Sequence, residues 1–84
     1  MQPQTARPDR VDSSLDARGL LCPMPVVRAR QAMQDLDAGD VLEILATDRG
    51  SVTDIPAWCE SQEHQLLHWE EQDGVFRYYV RKGS

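Results

Sequence analysis

The sequence contains no long apolar run. No segment approaches the roughly 18 consecutive apolar residues that a membrane-spanning helix needs, and the apolar stretch at residues 41–46 includes Glu43. The first ten residues also lack the apolar segment of a secretory signal. We therefore expect a soluble, cytoplasmic protein that does not use a membrane as a partner.

Basic and aromatic residues are scarce. Nine lysines and arginines stand against fourteen aspartates and glutamates, so the net charge at pH 7 is −5. A polyphosphate repels a chain of this sign. The aromatic residues, 6% of the chain, fit a core or a half-buried sheet better than a base-stacking surface. We therefore expect no direct nucleic-acid binding. The aromatic residues considered are Trp58, Trp69, Phe76 and Tyr78.

Cysteine is also scarce. The two cysteines, Cys22 and Cys59, are too few for the disulfide framework of a small secreted protein. In a reducing compartment both are expected to be thiols. At least one of them is then a candidate for a chemical role.

The length of 84 residues allows one domain. Residues 1–12 are polar, contain two prolines and four charged residues, and show no periodicity. They predict a flexible N-terminal arm. Residues 13–84 predict a single domain.

Hydrophobic periodicity divides that domain into six elements. In chain order we predict a strand at 13–18, a helix from about Pro23 to near Asp37, a strand at 41–47, a second helix, and strands at 65–71 and 75–81. The last two strands are separated by Gln72-Asp73-Gly74, a strong hairpin signal. The order βαβαββ, with right-handed crossovers, predicts an α/β two-layer sandwich with both helices on one face of a four-stranded mixed sheet.

The first helix shows an apolar stripe. Val26, Ala29, Met33 and Leu36 fall at i, i+3, i+7 and i+10 and are expected to face the core. Gly39 stands where a C-cap belongs.

The start of the second helix stays open. The spacing Ser51-Val52-Thr53-Asp54 resembles a capping box, and Ile55 and Cys59 would lie on the inward stripe. Pro56 disturbs this pattern. Either the helix starts at Asp54, or its first turn is distorted.

Cys22 is the main candidate for a reactive residue. It immediately precedes the first helix, whose dipole favours a thiolate and predicts a lowered thiol pKa. Pro23 and Pro25 fix two φ angles and leave Met24 as the only backbone donor among the next three residues, so the turn should hold the sulfur outward. The alternative is a buried structural cysteine, since free cysteine is among the most buried residue types.

Several charged residues accompany Cys22. Arg18, Arg28 and Arg30 are near enough in sequence to add positive potential. Asp48 ends the second strand, and parallel pairing would bring it to the same sheet edge as Cys22. Asp48 is a catalytic group, a partner contact or merely the start of the turn Asp48-Arg49-Gly50; the sequence leaves these open.

The remaining candidates have simpler explanations. Cys59 is expected in the core beside Ile55. Half a zinc site is suggested by the spacing of Cys59, His64 and His68, with Cys22 as a candidate fourth ligand. However, His68 lies in a strand-like alternation, and His64 fits a helix end where it interacts with free carbonyls. We therefore expect no metal. Arg81-Lys82 is typical of a solvated guard on an edge strand.

The motifs together resemble one known family. The segments that carry the resemblance are Leu15-Asp16-Ala17-Arg18-Gly19-Leu20-Leu21-Cys22-Pro23-Met24-Pro25, Ala46-Thr47-Asp48, Asp54-Ile55-Pro56-Ala57-Trp58-Cys59 and Arg77-Tyr78-Tyr79-Val80-Arg81-Lys82-Gly83. They resemble the TusA (SirA-like) sulfur-carrier family over residues 14–83. The Cys-Pro-x-Pro signature with its Leu-Asp-x-x-Gly lead-in is specific.

The resemblance implies a fold, a function and partners. It implies the βαβαββ sandwich, and a persulfide carried covalently on Cys22 without any other cofactor. It implies a cysteine desulfurase or rhodanese-like donor, a downstream acceptor protein, and service in tRNA 2-thiouridine synthesis, molybdenum-cofactor supply or sulfur oxidation. Arg30 matches a basic position of the family and, with Asp48, is a candidate docking residue. A carrier that meets two partners in turn is most simply a monomer.

Three hypotheses follow. The first is a sulfurtransferase-type sulfur carrier that relays persulfide through Cys22, rather than an enzyme with a small-molecule pocket. The second is a thiol–disulfide oxidoreductase that uses Cys22 and Cys59. The third is a non-catalytic interaction module whose cysteines are structural.

Overall fold

The structure, a computed structural model, describes residues 7–83. Its elements are β1 (Ser13–Ala17), α1 (Met24–Gln34), β2 (Val41–Ala46), α2 (Ser51–Ser61), β3 (Gln65–Gln72) and β4 (Val75–Arg81). No helix in this part of the chain is long and apolar enough to cross a membrane. The first half of the predicted arm, residues 1–6, lies outside the described residues.

The four strands form one mixed sheet in the order β1-β2-β4-β3. The strands β1 and β2 are parallel, with Leu15 opposite Ile44, whereas β4 runs antiparallel to both of its neighbours. Both helices contribute to the core cluster on one face of this sheet. The predicted βαβαββ two-layer sandwich is therefore confirmed.

The core follows from the alternation of the two central strands. On β2, Leu42, Ile44 and Ala46 point to the helices, and fully burying a side chain of the size of leucine or isoleucine contributes about 1.5–3 kcal/mol. The other buried members of the core cluster are Ala29, Met33, Ile55, Trp58, Cys59, Phe76, Tyr78 and Val80.

The helix α1 ends earlier than its apolar stripe predicts. It stops at Gln34, with Asp35 as its C-cap, and Gly39 is not the cap. Gly39, at φ +92°, lies in the following loop, where its N–H donates to the Lys82 carbonyl at 2.9 Å. The Lys82 ammonium group donates to the carbonyls of Met33 and Leu36 at 2.9 and 2.5 Å. A side chain from the end of β4 thus satisfies the free carbonyls at this helix end.

The helix α2 begins at Ser51 and includes Pro56. This answers the question that the sequence leaves open. The capping-box interpretation is wrong, because Gly50 is the N-cap and Ser51 is buried, with its hydroxyl 2.8 Å from the Tyr78 hydroxyl. A hydroxyl used inside the core is not free to cap the helix.

The β3–β4 hairpin turns at Asp73 and Gly74, as predicted. Their φ angles of +54° and +83° are those of a tight type I′ turn. Two other predictions for these strands are wrong. Trp69 is exposed (42%) and stacks on Tyr78, and the strand that leads to Lys82 is central rather than at an edge.

The sheet face opposite the helices carries charged and polar side chains. The Glu43 carboxylate accepts a hydrogen bond from the Tyr79 hydroxyl at 3.1 Å. Arg77 lies between Glu43 and Glu70, at 3.5 and 3.7 Å, and Arg7 pairs with Glu70 at 2.8 Å. An ionic network of this kind on a sheet face is compatible with contact with water.

The described part of the predicted arm lies beside β2. The Asp12 N–H donates to the Val41 carbonyl at 2.9 Å, and the Val41 N–H donates to the Asp12 carboxylate at 2.8 Å. Arg10 pairs with Asp40 at 3.2 Å. These contacts continue the pairing with β2 to Asp12, on the N-terminal side of Ser13, where β1 begins. The flexibility of residues 1–12 stays a prediction.

Candidate functional site

Cys22 and Asp48 meet at the edge of the sheet where the parallel strands end. Cys22 follows β1 and precedes α1, whereas Asp48 follows β2. The Cys22 N–H donates to the Asp48 carboxylate at 3.2 Å. Cys22 is exposed, so the alternative of a buried structural cysteine does not apply to it. The sequence prediction that these two residues share an edge is confirmed.

Gly50 makes this close approach possible. A Cβ at this position would stand 2.9 Å from an Asp48 carboxylate oxygen and 3.5 Å from the Cys22 Cβ. The φ angle of Gly50 is −60°, which any residue adopts, so space rather than backbone conformation requires glycine here.

Asp54 is the residue at this site that sequence reasoning missed. The Cys22 thiol donates to the Asp54 carboxylate with a Sγ–Oδ2 distance of 2.6 Å. Asp54 lies in the first turn of α2, where an acidic side chain also suits the helix dipole. The available signal was an acidic residue in the first turn of a helix that begins at the same sheet edge as Cys22. The capping-box interpretation instead pairs the Asp54 side chain with a backbone N–H at the start of the helix.

The thiol pKa of Cys22 is shifted opposite to the prediction. The hydrogen bond to the Asp54 carboxylate raises it first, then desolvation, and then the charges of Asp54 and Asp48. A negative charge within hydrogen-bonding distance disfavours the thiolate. The prediction that the α1 dipole lowers this pKa is therefore wrong, because the Asp54 carboxylate lies within hydrogen-bonding distance of the sulfur and the charge of Asp48 adds to its effect.

The three arginines predicted to add positive potential at Cys22 are not among the groups that shift its thiol pKa. Arg18 pairs with the neighbouring Asp16 at 2.9 Å. Arg28 and Arg30 are exposed on α1, and Arg30 lines a groove of about 190 Å³ with Trp58 and other residues between the helices. Among the described residues, the charged groups that shift the thiol pKa are the carboxylates of Asp54 and Asp48.

The turn after Cys22 leaves this residue exposed, as predicted. The Cys22–Pro23 peptide bond is cis, Pro23 is exposed, and Pro25 is buried in the first turn of α1. The Met24 N–H, the one backbone donor that the two prolines leave in this turn, donates to the Leu21 carbonyl at 2.8 Å. The side chains of Leu21, next to Cys22 in the chain, and of Met24, two residues beyond it, are exposed at 71% and 37%.

Cys59 and the two histidines lie elsewhere. Cys59 is in the core, as predicted, and burial raises the pKa of its thiol to about 12. His64 lies at the end of α2, as predicted: its N–H donates to the Cys59 carbonyl at 2.8 Å, and its ring accepts from the Gly83 N–H at 3.0 Å. His68 pairs with Glu70 at 2.9 Å. Within residues 7–83, no group of three or more His, Cys, Asp or Glu side chains is placed to hold a metal ion.

Fold and site together define a small α/β protein that presents one exposed thiol at a sheet edge. A protein-family profile described as "Sulfurtransferase TusA" matches residues 13–82. The chain therefore belongs to the TusA family of sulfur carriers, as its motifs predict.

Individual relatives agree with this assignment. The chain is 51% identical over 70 residues to YrkF of Bacillus subtilis (strain 168), and the match covers 83% of this chain but only 38% of YrkF. It is 43% identical over 74 residues to the sulfur carrier protein TusA of Pseudomonas fluorescens (strain SBW25), covering 88% and 89% of the two chains. The crystal structure of a SirA-like protein from Desulfitobacterium hafniense superposes with a TM-score of 0.75 at 31% identity, over 86% of this chain and 99% of that one.

Proposed function

We propose that this protein carries sulfane sulfur as a persulfide on Cys22 and relays it from a donor protein to an acceptor protein. The observation that carries the proposal is the exposed Cys22 at the sheet edge, close in the chain to the exposed apolar side chains of Leu21 and Met24. Membership of the TusA family supports it. An exposed cysteine near exposed apolar side chains suits direct contact with another protein's cysteine.

The chemistry of the relay is thiol–persulfide exchange. The Cys22 sulfur attacks the outer sulfur of a donor persulfide, a new S–S bond forms on Cys22, and the donor's own S–S bond breaks to release a thiolate. In the second exchange the acceptor's cysteine sulfur attacks the outer sulfur of the Cys22 persulfide, and the Cys22 thiolate is released. The sulfur is cargo bound covalently to Cys22, and the proposal involves no other cofactor.

The donor in this proposal is a cysteine desulfurase or a rhodanese-like protein. The acceptor belongs to tRNA 2-thiouridine synthesis, molybdenum-cofactor supply or sulfur oxidation. Asp48 and Arg30 remain candidate docking residues. The protein acts in the cytoplasm in this proposal. It acts as a monomer, because a carrier must present the same sulfur to two partners in turn.

Two observations argue against an oxidoreductase that uses both cysteines. Cys59 is buried in the core cluster, whereas Cys22 is exposed at the sheet edge. The pKa of Cys59 is raised to about 12, so its thiol is almost entirely protonated near neutral pH and is a poor nucleophile.

Mass spectrometry of the intact protein tests the proposal. After incubation with a cysteine desulfurase and cysteine, we expect a gain of about 32 Da that maps to Cys22. Cys22→Ser should fold normally and gain no mass, because its hydroxyl is not ionised near neutral pH and does not carry sulfane sulfur. A loss of about 2 Da would instead indicate an internal disulfide, and an unchanged mass would favour a non-catalytic module.

A further inference from the structure

The Cys22 thiol has one side-chain hydrogen-bond partner in the described part of the chain, the Asp54 carboxylate, with 2.6 Å between Sγ and Oδ2. Resting on the function proposed above, we propose that Asp54 is the catalytic proton acceptor of this site, which takes the thiol proton as the Cys22 sulfur attacks the donor persulfide. Asp54 qualifies as a catalytic residue because it contacts the reacting sulfur atom.

The surroundings of the thiol leave Asp54 as the group suited to this task. Asp48, the other carboxylate that faces Cys22, accepts the Cys22 backbone N–H rather than the thiol. Arg18, in the loop that leads to Cys22, is paired with Asp16. Asp54 lies on α2, so the packing of that helix against the sheet presents its carboxylate to the sulfur.

A proton acceptor within the protein matters most when a partner is docked. A partner surface placed over the exposed Leu21 and Met24 side chains would exclude water from the sulfur. The thiol proton then needs an acceptor inside the complex, and a carboxylate already in hydrogen-bonding distance meets the geometric requirement for a general base.

The step balances in atoms and charge. The Cys22 thiol, the Asp54 carboxylate and an ionised donor persulfide react to give a Cys22 persulfide anion, a neutral Asp54 carboxyl group and a donor thiolate. One S–S bond forms and one breaks, the proton moves from Sγ to the carboxylate, and the total charge stays at −2. No oxidant or reductant is needed.

The same contact protects the resting protein. The Asp54 hydrogen bond is the largest cause of the raised thiol pKa, so in the absence of a donor the sulfur stays protonated and unreactive. Asp54 therefore opposes reaction with small electrophiles in solution and assists reaction with a docked donor. These opposite effects make the proposal testable.

The experiment compares wild type with Asp54→Asn and with Glu60→Gln. Glu60 is an exposed carboxylate on the same helix, six residues further along and so about 9 Å away along its axis, which makes it a matched control for the loss of one negative charge. Two rates are measured from pH 6 to about pH 10: alkylation by iodoacetamide, and single-turnover sulfur uptake from a persulfidated cysteine desulfurase. Thermal unfolding by circular dichroism checks that each variant is folded.

We expect Asp54→Asn to change the two rates in opposite directions. At pH 7 alkylation should become about tenfold faster, because the thiol pKa falls when the carboxylate is removed. Sulfur uptake should become at least about tenfold slower. The uptake deficit should disappear at pH values above the thiol pKa, where the thiolate forms without a proton acceptor. Glu60→Gln should match wild type in both measurements.

Two results would overturn the role of Asp54. Sulfur uptake that rises in parallel with alkylation would mean that Asp54 only suppresses the thiolate. Unchanged rates of both reactions in Asp54→Asn would mean that the contact has no chemical role. Failure of the function proposed above would look different, because wild type itself would then take up no sulfur while its alkylation profile still responded to Asp54→Asn.

Discussion

At Cys22 two opposing electrostatic effects meet, and their sizes decide the outcome. A helix N-terminus favours a negative charge by about 0.3–1 kcal/mol at an exposed position. A hydrogen bond to a charged group contributes about 1.5–3 kcal/mol, and the thiol makes such a bond to the Asp54 carboxylate. The carboxylate therefore dominates, and the thiol pKa of Cys22 is raised rather than lowered.

Gly50→Ala tests the packing that brings Asp48 to Cys22. The new Cβ would stand 2.9 Å from the Asp48 carboxylate oxygen, so that side chain must move and lose its bond to the Cys22 N–H. We expect the free energy of unfolding to fall by about 1 kcal/mol in urea titrations. In an Asp48→Ala background the same substitution should cost much less, since no carboxylate remains to be displaced. Equal costs in both backgrounds would contradict this account.

Cys59→Ser tests the structural role of the buried cysteine. Its hydroxyl would lie in the core cluster without an assigned partner, and we expect a loss of about 1–3 kcal/mol in the free energy of unfolding. Sulfur loading of Cys22 should stay unchanged. Cys59→Ala is the matched control, because it removes the sulfur without adding a hydroxyl. A folded Cys59→Ser variant that failed to pass sulfur on would give Cys59 a chemical role instead.

The raised pKa of Cys59 also predicts a loss of stability in alkali. In the folded state this pKa is about 12, whereas an exposed thiol ionises near pH 8.5. The stabilisation is complete below the unfolded value and is lost as the pH rises towards 12, because only the unfolded chain ionises in that range. Urea titrations between pH 8 and 11 should show a steeper decline for wild type than for Cys59→Ala.

At the scale of single elements, the C-terminal end of α1 depends on another part of the chain. Its apolar stripe continues to Leu36, which is partly buried, yet the helix stops at Gln34. The carbonyls at this end are satisfied by the Lys82 ammonium group, from a residue 46 and 49 positions away in the sequence. A local pattern therefore predicts that the helix exists, but not where it ends.

Lys82→Met tests this contact. It keeps much of the aliphatic side chain and removes the hydrogen bonds to the Met33 carbonyl in α1 and to the Leu36 carbonyl just after it, so we expect the free energy of unfolding to fall by about 1–2 kcal/mol. Amide exchange should accelerate at Asp35 and Leu36, the C-cap and the residue after it, whose N–H groups donate to carbonyls in the last turn of α1. Arg81→Met is the control, because Arg81 is exposed and a change there should stay within about 0.5 kcal/mol. Equal effects of the two substitutions would argue against a capping role.

At the scale of the whole molecule, charge is unevenly distributed between the two candidate docking residues, Asp48 and Arg30. Carboxylates of Asp48 and Asp54 lie at the thiol. Arg30 lies six residues beyond the start of α1, about 9 Å along the helix, where it lines the groove between the helices. A partner that contacts both regions must cover one side of the helical layer as well as the sheet edge.

Arg30→Glu tests whether recognition extends that far. If Arg30 contacts the donor, reversing its charge should weaken binding by about 1–3 kcal/mol, with a larger effect at low salt. Titration of the donor at two salt concentrations measures this. Arg28→Glu is the control, because Arg28 is also exposed on α1 but is not part of the groove lining. Equal affinities of wild type and Arg30→Glu at both salt concentrations would exclude the docking role.

Most of the fold could be predicted because its signals are local. The apolar run of β2, the helical stripe of α1 and the Asp73-Gly74 turn depend on residues a few positions apart. The position of Cys22 at the end of β1 follows from the same patterns and from the parallel pairing of β1 with β2. The family motifs then indicate which cysteine matters.

The sequence by itself thus determined the order of the elements, the two-layer arrangement and the edge on which Cys22 stands. Only the tertiary structure decided what that thiol contacts. Asp54 is 32 residues away from Cys22 in sequence, and the direction of the pKa shift depends on a separation of 2.6 Å that arises only when α2 packs beside the start of α1. Electrostatic and hydrogen-bond energies change steeply over such distances, whereas hydrophobic periodicity fixes the position of an element only to within a residue or two.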